Sequence, residues 1–179
     1  VAQVTKDLGL SLVTVYIGGG TPTTLSAPQL SALCGKIQQV FDMSRCTEFT
    51  VEAGRPDTIT KEKLLALREA GISRISINPQ SLSNKVLQNI GRRHTAQDVV
   101  DAFQLAQSLG FTNINADLIV GLPGDNLESF QRTLNGVIDL GASNVTVHSL
   151  ALKRSARLNA PGGDLSLHSK SQGTAAMMV

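Results

Sequence analysis

Val13-Thr14-Val15-Tyr16-Ile17-Gly18-Gly19-Gly20-Thr21-Pro22-Thr23-Thr24-Leu25 is a short apolar strand that runs straight into three successive glycines. Glycine takes backbone angles closed to other residues and leaves its amide uncovered, so a ligand can rest directly on the main chain there. Thr21 and Thr23 add hydroxyls beside those amides, Pro22 fixes the exit direction, and Ser26-Ala27-Pro28 signals the start of a helix. Two nucleotide-binding motifs share this outline, and neither fits. A P-loop needs a lysine before a serine or threonine, and no lysine occurs between Leu12 and Gly35. A dinucleotide fingerprint built on Gly18 and Gly20 needs a third glycine where Thr23 stands. A ligand-binding turn of another kind, or a tight connection, remains.

Outward from this turn, short apolar runs alternate with stretches of three-to-four spacing, which predicts five repeats of strand then helix. The strands fall at 12–17, 48–53, 72–78, 113–120 and 144–150. The first helix covers 28–41, with Leu30, Leu33, Ile37 and Val40 along one face. The second opens at Thr60 and stops at Gly71. The third connection is longer, with a short helix over 83–90, the basic turn Gly91-Arg92-Arg93-His94, and a helix over 95–109 capped by Thr95 and ended by Gly110. The last covers 127–140. Past Leu152 the pattern fades into Lys153-Arg154-Ser155-Ala156-Arg157, a Pro-Gly-Gly turn and a serine-rich stretch, which reads as irregular.

Length and composition bound the partners. The chain has 179 residues, one domain or part of one, and a formal net charge of +2, too balanced to mark a nucleic-acid or membrane surface. One tyrosine, no tryptophan and 3% aromatics disfavour a base-stacking platform. No apolar run approaches a membrane span and no charged start with an apolar core marks a signal peptide, so a soluble cytoplasmic protein without nucleic-acid partners is expected. Cys34 in a helix and Cys46 before a strand lack metal or redox spacing and read as structural thiols. A start at Val1 and an apolar finish at 175–179 read as an internal piece of a longer protein.

Alternating strands and helices imply a parallel sheet, either doubly wound or a barrel. The polar residues favour a barrel arc, because they fall at the carboxyl ends of the strands, where barrels carry function. Those ends hold Gly19, Gly20 and Thr21; Glu52, Gly54 and Arg55; Asn78 and Gln80; Asp117; and His148, Ser149 and Ala151. Glu52 and Asp117 sit in apolar strands, and a carboxylate there needs a cationic or hydrogen-bonding partner. Each either serves a ligand or only holds the barrel mouth together through an arginine or backbone amide. The Arg92-Arg93-His94 run is an anion site or a solvated turn, and His148 reads as a satisfied buried histidine rather than a metal ligand.

The segments Ile17 to Thr23, Thr50-Val51-Glu52-Ala53-Gly54-Arg55-Pro56-Asp57, Ile77-Asn78-Pro79-Gln80-Ser81, Ile90 to Thr95, Asp117-Leu118-Ile119-Val120-Gly121-Leu122-Pro123-Gly124 and Val147-His148-Ser149-Leu150-Ala151 together resemble the radical S-adenosylmethionine enzymes of the oxygen-independent coproporphyrinogen III oxidase family. The order and spacing match along 13–157, and the Gly-Arg-Pro-Asp turn is most similar to the HemZ-type dehydrogenase branch.

The resemblance implies an α/β fold, a partial (β/α)6 TIM-like barrel of the radical SAM type, with about five βα units present and the first missing. It implies a core over 1–157 and an irregular segment over 158–179 leading into a truncated C-terminal region. A [4Fe-4S] cluster, a reduced electron donor and S-adenosylmethionine would yield a 5'-deoxyadenosyl radical that converts propionates of coproporphyrinogen III, or a related tetrapyrrole, to vinyl groups. By position, Gly19 and Glu52 resemble contacts to a first S-adenosylmethionine, and Gly20, Thr21, Gln80, Arg92, Asp117 and Ala151 resemble contacts to a second. The family's Cys-x-x-x-Cys-x-x-Cys cluster loop precedes the glycine turn and is not in this sequence, and neither Cys34 nor Cys46 can replace it. Relatives that carry haem without making porphyrin give a second reading, and an unrelated barrel that binds phosphate at the glycine turn gives a third.

Overall fold

Five parallel strands lie side by side in the order in which they occur along the chain. They are β1 (Thr14–Ile17), β2 (Glu48–Gly54), β3 (Arg74–Gln80), β4 (Ile114–Val120) and β5 (Asn144–Ser149). The computed structural model describes residues 1–150, so the tail expected over 158–179, Ala151 and the Lys153–Arg157 charges lie outside the described residues. A parallel crossover is right-handed, so a strand order that never reverses puts every connecting helix on one face and leaves the other face bare. The sheet therefore curls into a half-barrel, and the barrel arc rather than the doubly wound alternative is the fold.

The helices are α1 (Ala2–Asp7), α2 (Ala27–Val40), α3 (Lys61–Glu69), α4 (Asn84–Asn89), α5 (Ala96–Ser108) and α6 (Leu127–Asp139). The short α1 has no counterpart in the sequence reading, because six residues hold too little periodicity to register. The expected caps form. Thr95 and Asp98 make a reciprocal capping box on α5, Ser26 and Gln29 another on α2, and Thr60 accepts from the Lys63 amide.

Alternation along the strands sorts side chains between the two faces. Phe49, Val51, Ala53, Ile75, Ile77, Ile114, Ala116, Leu118 and Val120 point to the helices and join Leu30, Cys34, Leu64, Leu67, Phe103 and Phe111 in the core. Cys34 is thus a packing residue, and the half-buried Cys46 thiol donates to the Glu48 carbonyl. The residues between them are polar apart from Ile119: Thr14 and Tyr16; Glu48, Thr50 and Glu52; Arg74, Ser76, Asn78 and Gln80; Asn115 and Asp117; Asn144, Thr146 and His148. The register sets Tyr16 beside Thr50, Glu52 beside Ser76, Ser76 beside Asn115, and Asp117 beside Thr146, so a polar wall crosses the bare face from β1 to β5, with Ile119 beside His148 as its apolar end on β4.

Candidate functional site

The glycine turn and the end of β2 meet at one carboxylate. Glu52 Oε1 accepts from Asn78 Nδ2 at 2.8 Å, and Oε2 accepts from the Gly19 amide at 3.2 Å. The partner required for this carboxylate is thus a pair of neutral donors, one from β3 and one from the turn. Close approach explains Gly18: a Cβ there would lie 2.2 Å from Tyr16 Cε1 and 3.0 Å from Glu52 Oε2. Gly19 has a φ of +109°, which side chains rarely adopt, and a Cβ on Gly19 or Gly20 would meet no atom within 4 Å. The outer side of the turn is open.

The turn is fastened from beneath by residues the sequence did not single out for this. Thr23 is fully buried, and its hydroxyl donates to the Ala53 carbonyl. Lys63 Nζ, from α3, donates to the carbonyls of Thr23 at 2.5 Å and Thr58 at 3.1 Å. Thr23 therefore belongs to the scaffold, a correction to the expectation that both threonine hydroxyls lie beside the open amides. Thr21 is half-buried, and its carbonyl accepts from the Thr24 amide.

Asp117 is held the same way on β4. Its Oδ2 accepts from Ser76 Oγ at 3.0 Å and its Oδ1 from Asn115 Nδ2 at 2.6 Å. Asn115 also donates to Ser76 Oγ at 2.9 Å and accepts from Asn144 Nδ2 at 2.7 Å and Thr146 Oγ1 at 3.0 Å. Partial burial, followed by the nearby Glu52 and Asp117 carboxylates, pushes the Tyr16 phenol above its ordinary value. These three side chains share one electrostatic space on the inner face.

A second group forms at the end of β3. Gln80 is the one non-glycine residue with positive φ, +66°, among the described residues, and its Oε1 accepts from Arg92 Nη2 at 2.7 Å. Burial, and then the neighbouring Arg55, push the Arg92 guanidinium below its ordinary value. His94 is buried, with Nε2 3.2 Å from the Pro79 carbonyl, and Arg92 is half-buried, so of the basic run only Arg93 is exposed to solvent as the local pattern allowed. His148 is exposed on β5, not the buried histidine expected. The wrong choice has a physical cause: β5 is a sheet edge with no strand over its outer side among the described residues, while the Gly91–His94 turn folds back over β3.

The structure thus joins Gly19 to Glu52 and Gln80 to Arg92, and places Gly20 and Thr21 in the same turn as Gly19 and Asp117 on β4, the strand beyond Gln80. Tyr16, Ser76, Asn115 and Lys63 were missed as site residues. The period-two polar positions of β3 and β4 were the available signal for two of them. The donor set suits an ammonium-bearing ligand at Glu52 over uncovered glycine amides. It does not suit an iron–sulfur cluster: among the described residues no three histidines, cysteines or carboxylates group to hold a metal. Cys46 lies at the amino end of β2, the opposite end from the glycine turn, and Cys34 lies in the core.

A half-barrel of parallel strands with an open glycine turn after β1 and carboxylates lining the inner face defines a TIM-like barrel scaffold. The chain belongs to the radical SAM superfamily, whose family model matches residues 1–136. Over 154 residues it is 43% identical to the oxygen-independent coproporphyrinogen-III oxidase-like protein HemZ of Bacillus subtilis (strain 168), across 86% of this chain and 31% of that protein. It is 42% identical over 143 residues to the heme chaperone HemW of the same organism, across 79% of this chain and 38% of that protein. Among solved structures it superposes on coproporphyrinogen III oxidase (HemN) of Escherichia coli, a radical SAM enzyme, with a TM-score of 0.74 and 26% identity, covering 95% of this chain and 41% of that one. The chain therefore spans between about a third and two-fifths of the length of these relatives.

Proposed function

We propose that this chain is the S-adenosylmethionine-binding wall of an oxygen-independent coproporphyrinogen III dehydrogenase acting in porphyrin biosynthesis. The observation that carries the reading is Glu52, a carboxylate bonded to the Gly19 amide at 3.2 Å on the open side of a glycine turn. A carboxylate with only neutral partners is suited to the amino group of S-adenosylmethionine, and the uncovered Gly19 main chain lets the cofactor approach closely. Gly20, Thr21, Gln80, Arg92 and Asp117 are the contacts proposed for a second molecule, together with Ala151. The chemistry that S-adenosylmethionine supplies when bound is hydrogen-atom abstraction, which for this substrate class opens the route from propionate to vinyl. The chain's own part is binding, orientation and exclusion of side reactions. The [4Fe-4S] cluster would be held, and the electron donor would dock, outside the described residues.

The identity to HemZ supports the dehydrogenase; the 42% identity to a heme chaperone favours a second reading, a haem carrier without turnover. One experiment separates them. A protein containing this chain and a loaded cluster, given a reductant, S-adenosylmethionine and coproporphyrinogen III without oxygen, is expected to form protoporphyrinogen IX, 5'-deoxyadenosine and carbon dioxide. Stable haem binding with no tetrapyrrole product overturns the dehydrogenase and establishes the carrier.

A further inference from the structure

We propose that His94 is a positioning residue: through the Pro79 carbonyl it holds Gln80 in its left-handed conformation, and Gln80 in turn holds the Arg92 guanidinium for a carboxylate of the ligand. The inference rests on the reading of Gln80 and Arg92 as contacts to a second S-adenosylmethionine, and names what keeps them in place.

Ile77 pairs with Ala116 and Gln80 with Leu118, so Asn78 and Pro79 together oppose the single residue Asp117. A bulge leaves its extra residue out of the ladder and re-aims the strand end. The Pro79 carbonyl is thereby free to meet His94 Nε2 at 3.2 Å. That carbonyl belongs to the peptide plane preceding Gln80, whose orientation fixes φ of Gln80. A φ of +66° is costly for a residue with a Cβ and persists only when its surroundings impose it. His94 imposes it from one side, and the 2.7 Å bond from Arg92 to Gln80 Oε1 fastens the side chain from the other. Arg92 and His94 sit two residues apart on one turn, and the Arg92 amide ties that turn to α4 at the Leu87 carbonyl. The turn therefore clasps the end of β3 at two points.

The chemistry of the clasp fixes the tautomer. A carbonyl only accepts, so Nε2 carries the hydrogen and Nδ1 is bare; Nδ1 is buried and has no partner. Protonation would add a donor with nothing to receive it. The guanidinium presented by the clasp has a neutral hydrogen-bond partner in Gln80 and a like-charged neighbour in Arg55; the Asp57 carboxylate acts on it more weakly in the opposite sense but forms no ion pair with it among the described residues, so its charge is open to an anion. S-adenosylmethionine and a propionate-bearing tetrapyrrole both offer carboxylates.

The test uses the full-length protein with its cluster loaded. Calorimetric titration with S-adenosylmethionine is expected to show two sites, with His94→Phe weakening one about ten-fold, the worth of a single hydrogen bond, and sparing the other. His94→Gln, whose amide reaches the position of Nε2, restores affinity, and His94→Asn, which reaches only as far as Nδ1, does not. Adding His94→Phe to Arg92→Ala costs nothing further, which a general loss of packing would not reproduce. Decarboxylated S-adenosylmethionine, and coproporphyrin III against its tetramethyl ester, identify whose carboxylate Arg92 meets: the partner whose decarboxylated or esterified form no longer distinguishes parent from His94→Phe. Parent-like binding by His94→Phe, or costs that add to those of Arg92→Ala, overturns the inference. A parent that binds one S-adenosylmethionine overturns the two-molecule reading instead. The clasp is then decided by nitrogen NMR, where the Nε2–H tautomer of His94 upholds it and the Nδ1–H tautomer sinks it.

Discussion

Glu52 accepts the amide of Gly19 across 33 positions of sequence, and that bond is where the end of β2 and the glycine turn become one site. Neither residue does this alone. The turn is uncovered because three glycines expose their amides, and the carboxylate is presented because β2 alternates Glu52 between the buried Val51 and Ala53. Asn78 takes the other oxygen, so three consecutive elements converge on one anionic group.

Replacing that charge gives the first prediction. Glu52→Gln keeps the length of the side chain and an acceptor for Gly19 but removes the negative charge. In the full-length protein S-adenosylmethionine affinity should fall by about 1.5–3 kcal/mol, roughly 10- to 150-fold, the cost of a charged hydrogen bond. Isothermal titration measures it, and unchanged affinity would place the cofactor elsewhere.

A second prediction concerns Gly18, where the obstacle is a neighbouring ring rather than backbone angles. A methyl at Gly18 would stand 2.2 Å from Tyr16 Cε1, so Gly18→Ala must displace the ring or the turn. The expected loss is about 1–3 kcal/mol of unfolding free energy in urea, the usual cost of overpacking. Removing the ring with Tyr16→Ala in the same protein should recover most of it, because two residues in contact do not contribute additively. Simple addition of the two losses would show that the ring is not what Gly18 accommodates.

How much of this was legible follows from range. Caps, terminators and the strand–helix alternation are local, and Thr95, Gly110 and the five strands were read correctly because each needs only a few neighbours in sequence. The barrel arc was legible too, since polar residues gathered at strand ends. The donors to Glu52 and Asp117 were not. Asn78 and Ser76 come from a neighbouring strand, and which of them stands opposite a carboxylate depends on register, including the bulges after Glu52 and Ile77; Asn115, two residues before Asp117 on the same strand, was available from period two alone. His148 was misplaced for the same reason, and the burial of His94 was left open: burial of a lone polar residue is set by what folds over it.

Asn115 offers a third prediction, on the strength of a saturated network. Both of its amide hydrogens and both lone pairs of its oxygen are engaged, with Ser76, Asp117, Asn144 and Thr146, at 3% exposure. Asn115→Ala leaves Asp117 with Ser76 alone and removes the acceptor of Asn144 and Thr146, and should cost about 1–3 kcal/mol in a urea titration. Asn115→Asp should cost more at neutral pH and recover on acidification, because a second carboxylate beside Asp117 is relieved by a proton. A neutral result for both would mean that solvent replaces Asn115 on the wall.

The last prediction is a pH dependence of stability that belongs to His94. Burial lowers the proton affinity of the ring, and Arg92 lowers it further; the bond to the Pro79 carbonyl, and then Asp57 and Asp98 on the neighbouring segments, act the other way without overcoming it. The folded ring therefore titrates below the unfolded one, which takes its proton near pH ~6.5. Between those two values the unfolded chain binds more protons than the folded one, so stability must rise with pH across that window. Above the unfolded value the contribution is fully present, and it is lost as pH falls toward the folded value. Urea midpoints measured from neutral pH downward should show this loss beginning just below pH ~7, earlier than carboxylate titration can produce it. His94→Gln, which keeps the donor to Pro79 but cannot take a proton, should flatten that part of the profile and leave the more acidic part intact. An unchanged profile in His94→Gln would assign the dependence to another group and place the His94 ring in contact with water.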